Sequence, residues 1–177
     1  MTVAERTVES GALQPIHSIR VGLGFDAHPL QAGRPLRLGG VTIPSRKGLA
    51  GHSDADVLLH ALMDAVLGAL AQPDIGMLFP DTDPALEGAD SAELTARVMK
   101  RASDAGAAVR NVDCVLVCDQ PKLAPFHGAI RESIAGLLGI APDAVGLKAK
   151  TTEGTALALR SGSIAALVVV SVEVSAR

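Results

Sequence analysis

Eleven residues near the end of the chain, IAALVVVSVEV at 164–174, constrain the fold more than any other stretch. A membrane-spanning helix needs about 20 apolar residues, so this run is too short to cross a bilayer in that form, and its valine content favours extended backbone. It is read as a central strand. Further strands are predicted over 19–25, 35–43, 109–118 and 145–151, set off by turn signals such as GRP and LGG. Three helices are predicted between them. The first opens at Ser53, takes Asp56 as its capping-box partner and carries apolar residues at 57, 58, 61, 62, 65, 66, 69 and 70. The second runs from near Asp90 to about Ala105 with Glu93 at its third position, and the third covers 126–138. This order predicts an α+β fold: a single mixed β-sheet with helices packed on one face. Residues 1–18 read as a loose tail and 19–177 as one domain. The stretch 71–90, rich in Pro, Gly and Asp, is long for a connection and is expected to be a functional or a mobile loop.

Composition removes several classes of function. Aromatics make up 2% of the chain, with no Trp or Tyr, so single-stranded nucleic acid has almost nothing to stack on. A net charge of −3 offers no basic field for a polyanion. A phosphorylated ligand would therefore need metal ions or backbone N–H groups to balance its charge. Neither nucleic acid nor membrane is an expected partner. Cys114 and Cys118 share a predicted strand, where four residues span roughly 13 Å, too far for a disulfide. With no CxxC, a reducing cytoplasm is the expected compartment. The opening MTVAERTVESGALQPIHS holds acidic residues and no apolar core, unlike a secretory signal.

Two places concentrate groups that could do chemistry. In the first predicted helix, Asp56, His60 and Asp64 recur at every fourth position, on one stripe, with His52 and Ser53 at its N-terminal end. From 54 to 70 there is no Lys, Arg or Glu, as an ordinary solvated face would carry. Upstream, in GLGFDAH, Asp26 and His28 project to the same side of an extended chain. Asp26, His28 and His60 could form a three-ligand zinc site with one open position, Asp64 orienting His60 from behind. DxH is a short signal, and either histidine could instead be a satisfied core residue. A dinucleotide fingerprint in GLGFDA fails, because HPLQAGRP follows where a helix is required. The second place is KAKTTEG, where Thr151, Thr152 and Glu153 precede Gly154, with Arg160 beyond. Hydroxyls and a lone carboxylate suit phosphate oxygens and a hard cation such as Mg²⁺, and Lys148 and Lys150 could add charge.

Taken together, GFDAH, GGVTIP, GHSDADVLLHALMDAVLGAL, DIGMLFPDTDP, GADS, NVD, QPK and KAKTTEG resemble, in order and spacing, the 2-C-methyl-D-erythritol 2,4-cyclodiphosphate synthases of the non-mevalonate isoprenoid pathway. The likeness runs from about residue 19 to the C-terminus. It implies a homotrimer with active sites between subunits, and a metal-dependent phosphorus–oxygen lyase. The substrate would be 4-diphosphocytidyl-2-C-methyl-D-erythritol 2-phosphate, converted to the cyclic diphosphate and CMP. By the family pattern, zinc falls on Asp26, His28 and His60, and Mg²⁺ or Mn²⁺ on Glu153. Asp74 and Gly76 would hold the cytidine ribose. Pro121 and Lys122, with Thr151 and Thr152, would meet cytosine and its phosphates. His52 and Ser53 would contact the substrate phosphates. The loop 79–90, with Phe79, Asp81 and Asp83, would cover the methylerythritol portion, and Asp56, Asp64 and Arg160 are also expected at the substrate. After Glu153 the chain departs from the family, reading GTALALRSGS. That segment usually lines a trimer channel where isoprenoid diphosphates can bind, so 154–163 bears on activity and on that channel. The alternatives are a zinc phosphohydrolase, with Asp56 as the only candidate base, and a trimeric binding homologue that has lost catalysis.

Overall fold

The computed structural model describes residues 17–153 and 162–175. The tail expected over 1–18, apart from its last two residues, and Arg160 in the altered segment lie outside them. His17 and Ser18 belong to the sheet, paired with Ser175 and Val174.

The sheet has five strands in the order β4-β1-β7-β5-β6. The Val-rich run forms β7 (Ser163–Ser175) at its centre. β7 is antiparallel to β1 (His17–Ala32) on one side and to β5 (Ala107–Val117) on the other. β6 (Val145–Lys150) lies parallel to β5, and the short β4 (Lys47–Leu49) pairs with the far end of β1. The mixed α+β architecture is thus the expected one. Two boundaries differ. β1 does not stop at Phe25 but runs on through Asp26 and His28, because β7 and then β4 continue to accept its backbone hydrogen bonds. The strand expected over 35–43 is instead a hairpin, β2 (Leu36–Leu38) and β3 (Val41–Ile43), folded at Gly39 and Gly40 with φ of 62° and 79°. Those angles suit glycine.

Helix α1 (Val57–Ala69) starts later than Ser53. Its cap is Asp56, whose Oδ1 accepts from the Leu58 and Leu59 N–H groups. α1 is buried nearly all round, pressed on β1 and β7 on one side and on α3 on the other. The approach to β1 is possible because positions 22 and 24 are glycines: a Cβ at Gly22 would lie 1.8 Å from the Ala65 carbonyl oxygen, and one at Gly24 would lie 1.9 Å from that of Ala61. α2 (Ile75–Leu78) is one short turn, α3 (Ser91–Asp104) is capped by Asp90, and α4 (His127–Leu138) ends at left-handed Gly139. The core is aliphatic, with Leu36, Leu38, Leu58, Leu62, Ile130, Val168 and Val170 almost fully buried.

On the sheet face turned away from the helices, Ile19, Val21, Leu23 and Phe25 of β1 and Leu167 and Val169 of β7 are 38–67% exposed. Scattered apolar residues on a surface need no explanation, but a contiguous strip does. Among the described residues no helix is long and apolar enough to cross a membrane.

Candidate metal centre and adjoining cavity

The inner face of β1 carries Gly22 and Gly24 and then, at the same alternation, Asp26 and His28. The glycines bring α1 so close that His60 reaches the same point. Asp26 Oδ2 lies 2.9 Å from His28 Nε2 and 3.0 Å from His60 Nδ1, and the two ring nitrogens are 3.2 Å apart. The rings meet edge to face at 74°. The other oxygen, Asp26 Oδ1, accepts the Ala27 N–H at 2.8 Å, which aims Oδ2 at the histidines. Burial works to raise the Asp26 carboxyl pKa, but His28 and His60, when protonated and with no metal between them, donate hydrogen bonds and bring charge that outweigh it and hold the group well below the usual carboxylate range. Among the described residues these three donor atoms are the one group of this kind that could hold a metal ion. A tetrahedral zinc ion with bonds of about 2.0–2.1 Å sets its ligand atoms about 3.3 Å apart, close to the observed triangle. Two imidazole nitrogens and a carboxylate oxygen turned to one point are ligand types that divalent metals such as zinc take, so the donor set fits a divalent metal.

Beside this triangle lies a cavity of about 420 Å³ whose lining includes His28, His60, His52, Ser53, Gly76, Phe79 and Asp81. Five residues expected at the substrate, His52, Ser53, Gly76, Phe79 and Asp81, thus line one cavity with two of the three donor side chains. His52 Nε2 is 3.3 Å from the Asp83 carbonyl oxygen, tying the loop after α2 to the turn before α1. The Asp83 side chain accepts from the Ala85 N–H and caps a short 3-10 turn. Asp74 caps α2 through the Met77 N–H.

Other expectations need correction. The helical stripe of Asp56, His60 and Asp64 is not one site. Asp56 is completely buried, and its two oxygens accept backbone N–H groups of Leu58 and Leu59 and of Gly39 and Gly40. It pins the β2–β3 turn to the start of α1 and cannot meet substrate or activate water. Burial, the dominant influence, shifts its carboxyl pKa upward. Asp64 accepts the Ile75 N–H at 2.8 Å, and so positions α2 instead of orienting His60. The partners of His60 Nε2 are Ser53 Oγ at 3.2 Å and Ser91 Oγ at 3.1 Å. Ser91, and Asp54 beyond it, were missed by sequence reasoning. Both lie in motifs, GADS at the start of α3 and GHSDAD before α1, that carry the family likeness without marking either residue.

Thr151, Thr152 and Glu153 form a second cluster, past the end of β6. Asp119, at the end of β5, accepts from the Thr152 N–H at 2.8 Å and hydroxyl at 2.9 Å. These bonds hold the Asp119 pKa low. Thr151 donates its hydroxyl to Glu153. Pro121 and Lys122 follow in the loop after β5. Within one chain this cluster does not reach the histidines. Asp26, Ala166, Leu116 and Ala149 form a single row across four strands, and three strand spacings come to about 14 Å.

The YgbB family model matches residues 19–173. A 2-C-methyl-D-erythritol 2,4-cyclodiphosphate synthase from Koribacter versatilis is 54% identical over 155 residues, 88% of this chain and 98% of that protein. One from Geobacillus kaustophilus is 52% identical over 156 residues, covering 88% and 99%. A solved 2C-methyl-D-erythritol-2,4-cyclodiphosphate synthase in a CDP-bound form superposes with a TM-score of 0.79 at 42% identity, covering 85% of this chain and 98% of that one. With its motifs, its fold and its relatives in agreement over nearly the same residues, the chain belongs to the YgbB family, that of the 2-C-methyl-D-erythritol 2,4-cyclodiphosphate synthases.

Proposed function

We infer that this chain cyclises 4-diphosphocytidyl-2-C-methyl-D-erythritol 2-phosphate to the 2,4-cyclodiphosphate with release of CMP, as the lyase of isoprenoid biosynthesis that its relatives are named for. The observation that carries this is the convergence of Asp26, His28 and His60 beside the cavity that His52, Ser53 and Phe79 help to line. Because the attacking 2-phosphate and the diphosphate belong to one molecule, the protein has no nucleophile to supply. Its work is folding the substrate into line and balancing charge. Asp26, His28 and His60 would hold a divalent metal, which would supply Lewis-acid chemistry when bound, and the two-histidine, one-carboxylate set favours zinc. His52 and Ser53, in the turn that opens α1, receive the phosphates. Phe79 and Asp81 close the cavity around the methylerythritol portion, beside α2 with its capping Asp74 and its Gly76.

Glu153, with Mg²⁺ or Mn²⁺ brought in by the diphosphate, and Thr151, Thr152, Pro121 and Lys122 would serve the cytidine end. At about 14 Å across the sheet they belong to a different part of the surface, which is the reason to invoke a second copy. The exposed apolar strip of Ile19, Val21, Leu23, Phe25, Leu167 and Val169 supports a trimer packed through the open sheet face, where one copy's cytidine cluster completes another's metal centre. Buried free thiols suit a cytoplasmic setting. The hydrolase reading loses its base, since Asp56 is sealed in backbone hydrogen bonds.

Incubation of the purified protein with the cytidine substrate and Mg²⁺ tests the reading. Equimolar CMP and cyclic diphosphate are expected. Linear hydrolysis products would indicate a hydrolase instead, and tight binding without turnover a binding homologue. His60→Ala should lose both zinc and turnover; full zinc stoichiometry in that variant would overturn the ligand assignment.

A further inference from the structure

We propose that Asp54 and Ser91 are positioning residues that set the tautomer of His60, so that its Nδ1 lone pair is delivered to the metal. The proposal rests on the metal reading of Asp26, His28 and His60. Ser91 is the first residue of α3, where side chains are ordinarily wet, yet it is completely buried. A buried hydroxyl is costly unless its hydrogen bonds are made, and this one has two partners. Ser91 Oγ donates to Asp54 Oδ1 at 2.5 Å, while the Ser91 backbone N–H donates to Asp54 Oδ2 at 3.2 Å. The Asp54 carboxylate also sits 3.2 Å from Arg37 Nε, and Arg37 reaches Asp90 Oδ2 at 3.1 Å, so the starts of α1 and α3 are clamped through one arginine.

The direction of the relay follows from donor counting. An ionised carboxylate only accepts, so the Ser91 hydroxyl proton is committed to Asp54. Ser91 Oγ then has only lone pairs to offer His60 Nε2, 3.1 Å away. Nε2 must therefore carry the proton, and in the neutral ring Nδ1 is left bare. That nitrogen is the one 3.0 Å from Asp26 Oδ2 and 3.2 Å from His28 Nε2. Ser53 Oγ, 3.2 Å from the same Nε2, accepts the Ala55 N–H and keeps a second lone pair for the Nε2–H that Ser91 orients. Outer partners of this kind raise ligand basicity and fix ring orientation.

The test uses the full chain loaded with zinc. Ser91→Ala removes the hydroxyl without adding volume, and Asp54→Asn keeps the shape of the carboxylate. Competition against a chromogenic chelator should show zinc affinity about 10- to 100-fold weaker in each, with the metal-free melting temperature little changed in Ser91→Ala. A merely structural role would leave the His60 imidazole signal alone. In ¹H–¹⁵N spectra of zinc-loaded wild type, a slowly exchanging His60 Nε2–H is expected, and in Ser91→Ala it should shift and exchange faster. Zinc affinity within twofold of wild type together with an unchanged Nε2–H signal overturns the proposal. If either variant fails to fold, the wild-type spectrum decides: a His60 Nε2–H that exchanges as freely as a solvent-exposed imidazole refutes the relay. If wild type takes up no zinc at all, the metal reading itself falls, an outcome distinct from unaltered affinity in the variants.

Discussion

Gly24→Ala is the most informative single change, because one methyl group tests how the metal centre is assembled. The added Cβ would lie 1.9 Å from the Ala61 carbonyl oxygen and 2.7 Å from the Ala65 backbone nitrogen. Ordinary contact begins near 3.4 Å, so strand and helix must part by about 1.5 Å. β1 cannot yield easily, since β7 binds it along its length from His17 to Pro29. α1 must move, and both obstructing atoms are backbone, so no side-chain rotation relieves the clash. Overpacking of a core costs about 1–3 kcal/mol and sometimes more. With helix backbone as the obstacle the upper end applies, a fall of about 6–12 °C in melting temperature for a chain of this size. His60 is the neighbour of Ala61, and metal–ligand distances tolerate only about ±0.2 Å. Zinc affinity should therefore fall at least about 100-fold, beyond the usual effect of an outer partner. Gly22→Ala provides the comparison. Its Cβ would meet Ala65 and Ala69, one turn farther from His60, so a similar loss of stability should come with a smaller loss of metal. Calorimetry and chelator competition on the two variants measure both effects. Wild-type zinc affinity in a folded Gly24→Ala protein would refute the claim that close strand–helix contact builds the site.

Asp56→Ala should destabilise the chain by roughly 3–5 kcal/mol in urea unfolding, since it removes a helix cap and strands buried N–H groups of Gly39 and Leu59; a loss under about 1 kcal/mol would show that the carboxylate is dispensable. Leu23→Arg places a charge in the open apolar face, and sedimentation should show a wild-type trimer converted to smaller species with turnover lost; a monomeric wild type would contradict the shared-site reading. Burial, reinforced by Asp113 and Asp119, pushes the Cys114 and Cys118 thiols up to about 12 and about 11. Almost no thiolate is present at pH 8, and reactivity should appear only as pH climbs toward those values. Both should resist iodoacetamide in the folded protein and react once it is unfolded in urea, and fast labelling of the native chain would count against this.

What the sequence determined by itself is whatever depends on short-range pattern. The Val-rich run announced the central strand, and the spacing of apolar residues after Ser53 announced α1. The alternation of extended backbone placed Asp26 and His28 on one side, and family-specific motifs named the chemistry. These succeed because each depends only on neighbours a few positions away. The tertiary structure decided which of three evenly spaced polar residues on α1 would do what. Asp56, His60 and Asp64 look equivalent along the helix, but the β2–β3 turn, the end of β1 and α2 arrive at them from elsewhere in the chain, so one becomes a cap, one a candidate metal ligand and one an anchor. The partnership of Ser91 with His60 was invisible for the same reason, since it joins the first turns of two helices 31 residues apart. Local periodicity tells which side a residue faces; what waits on that side is settled by the packing of distant segments.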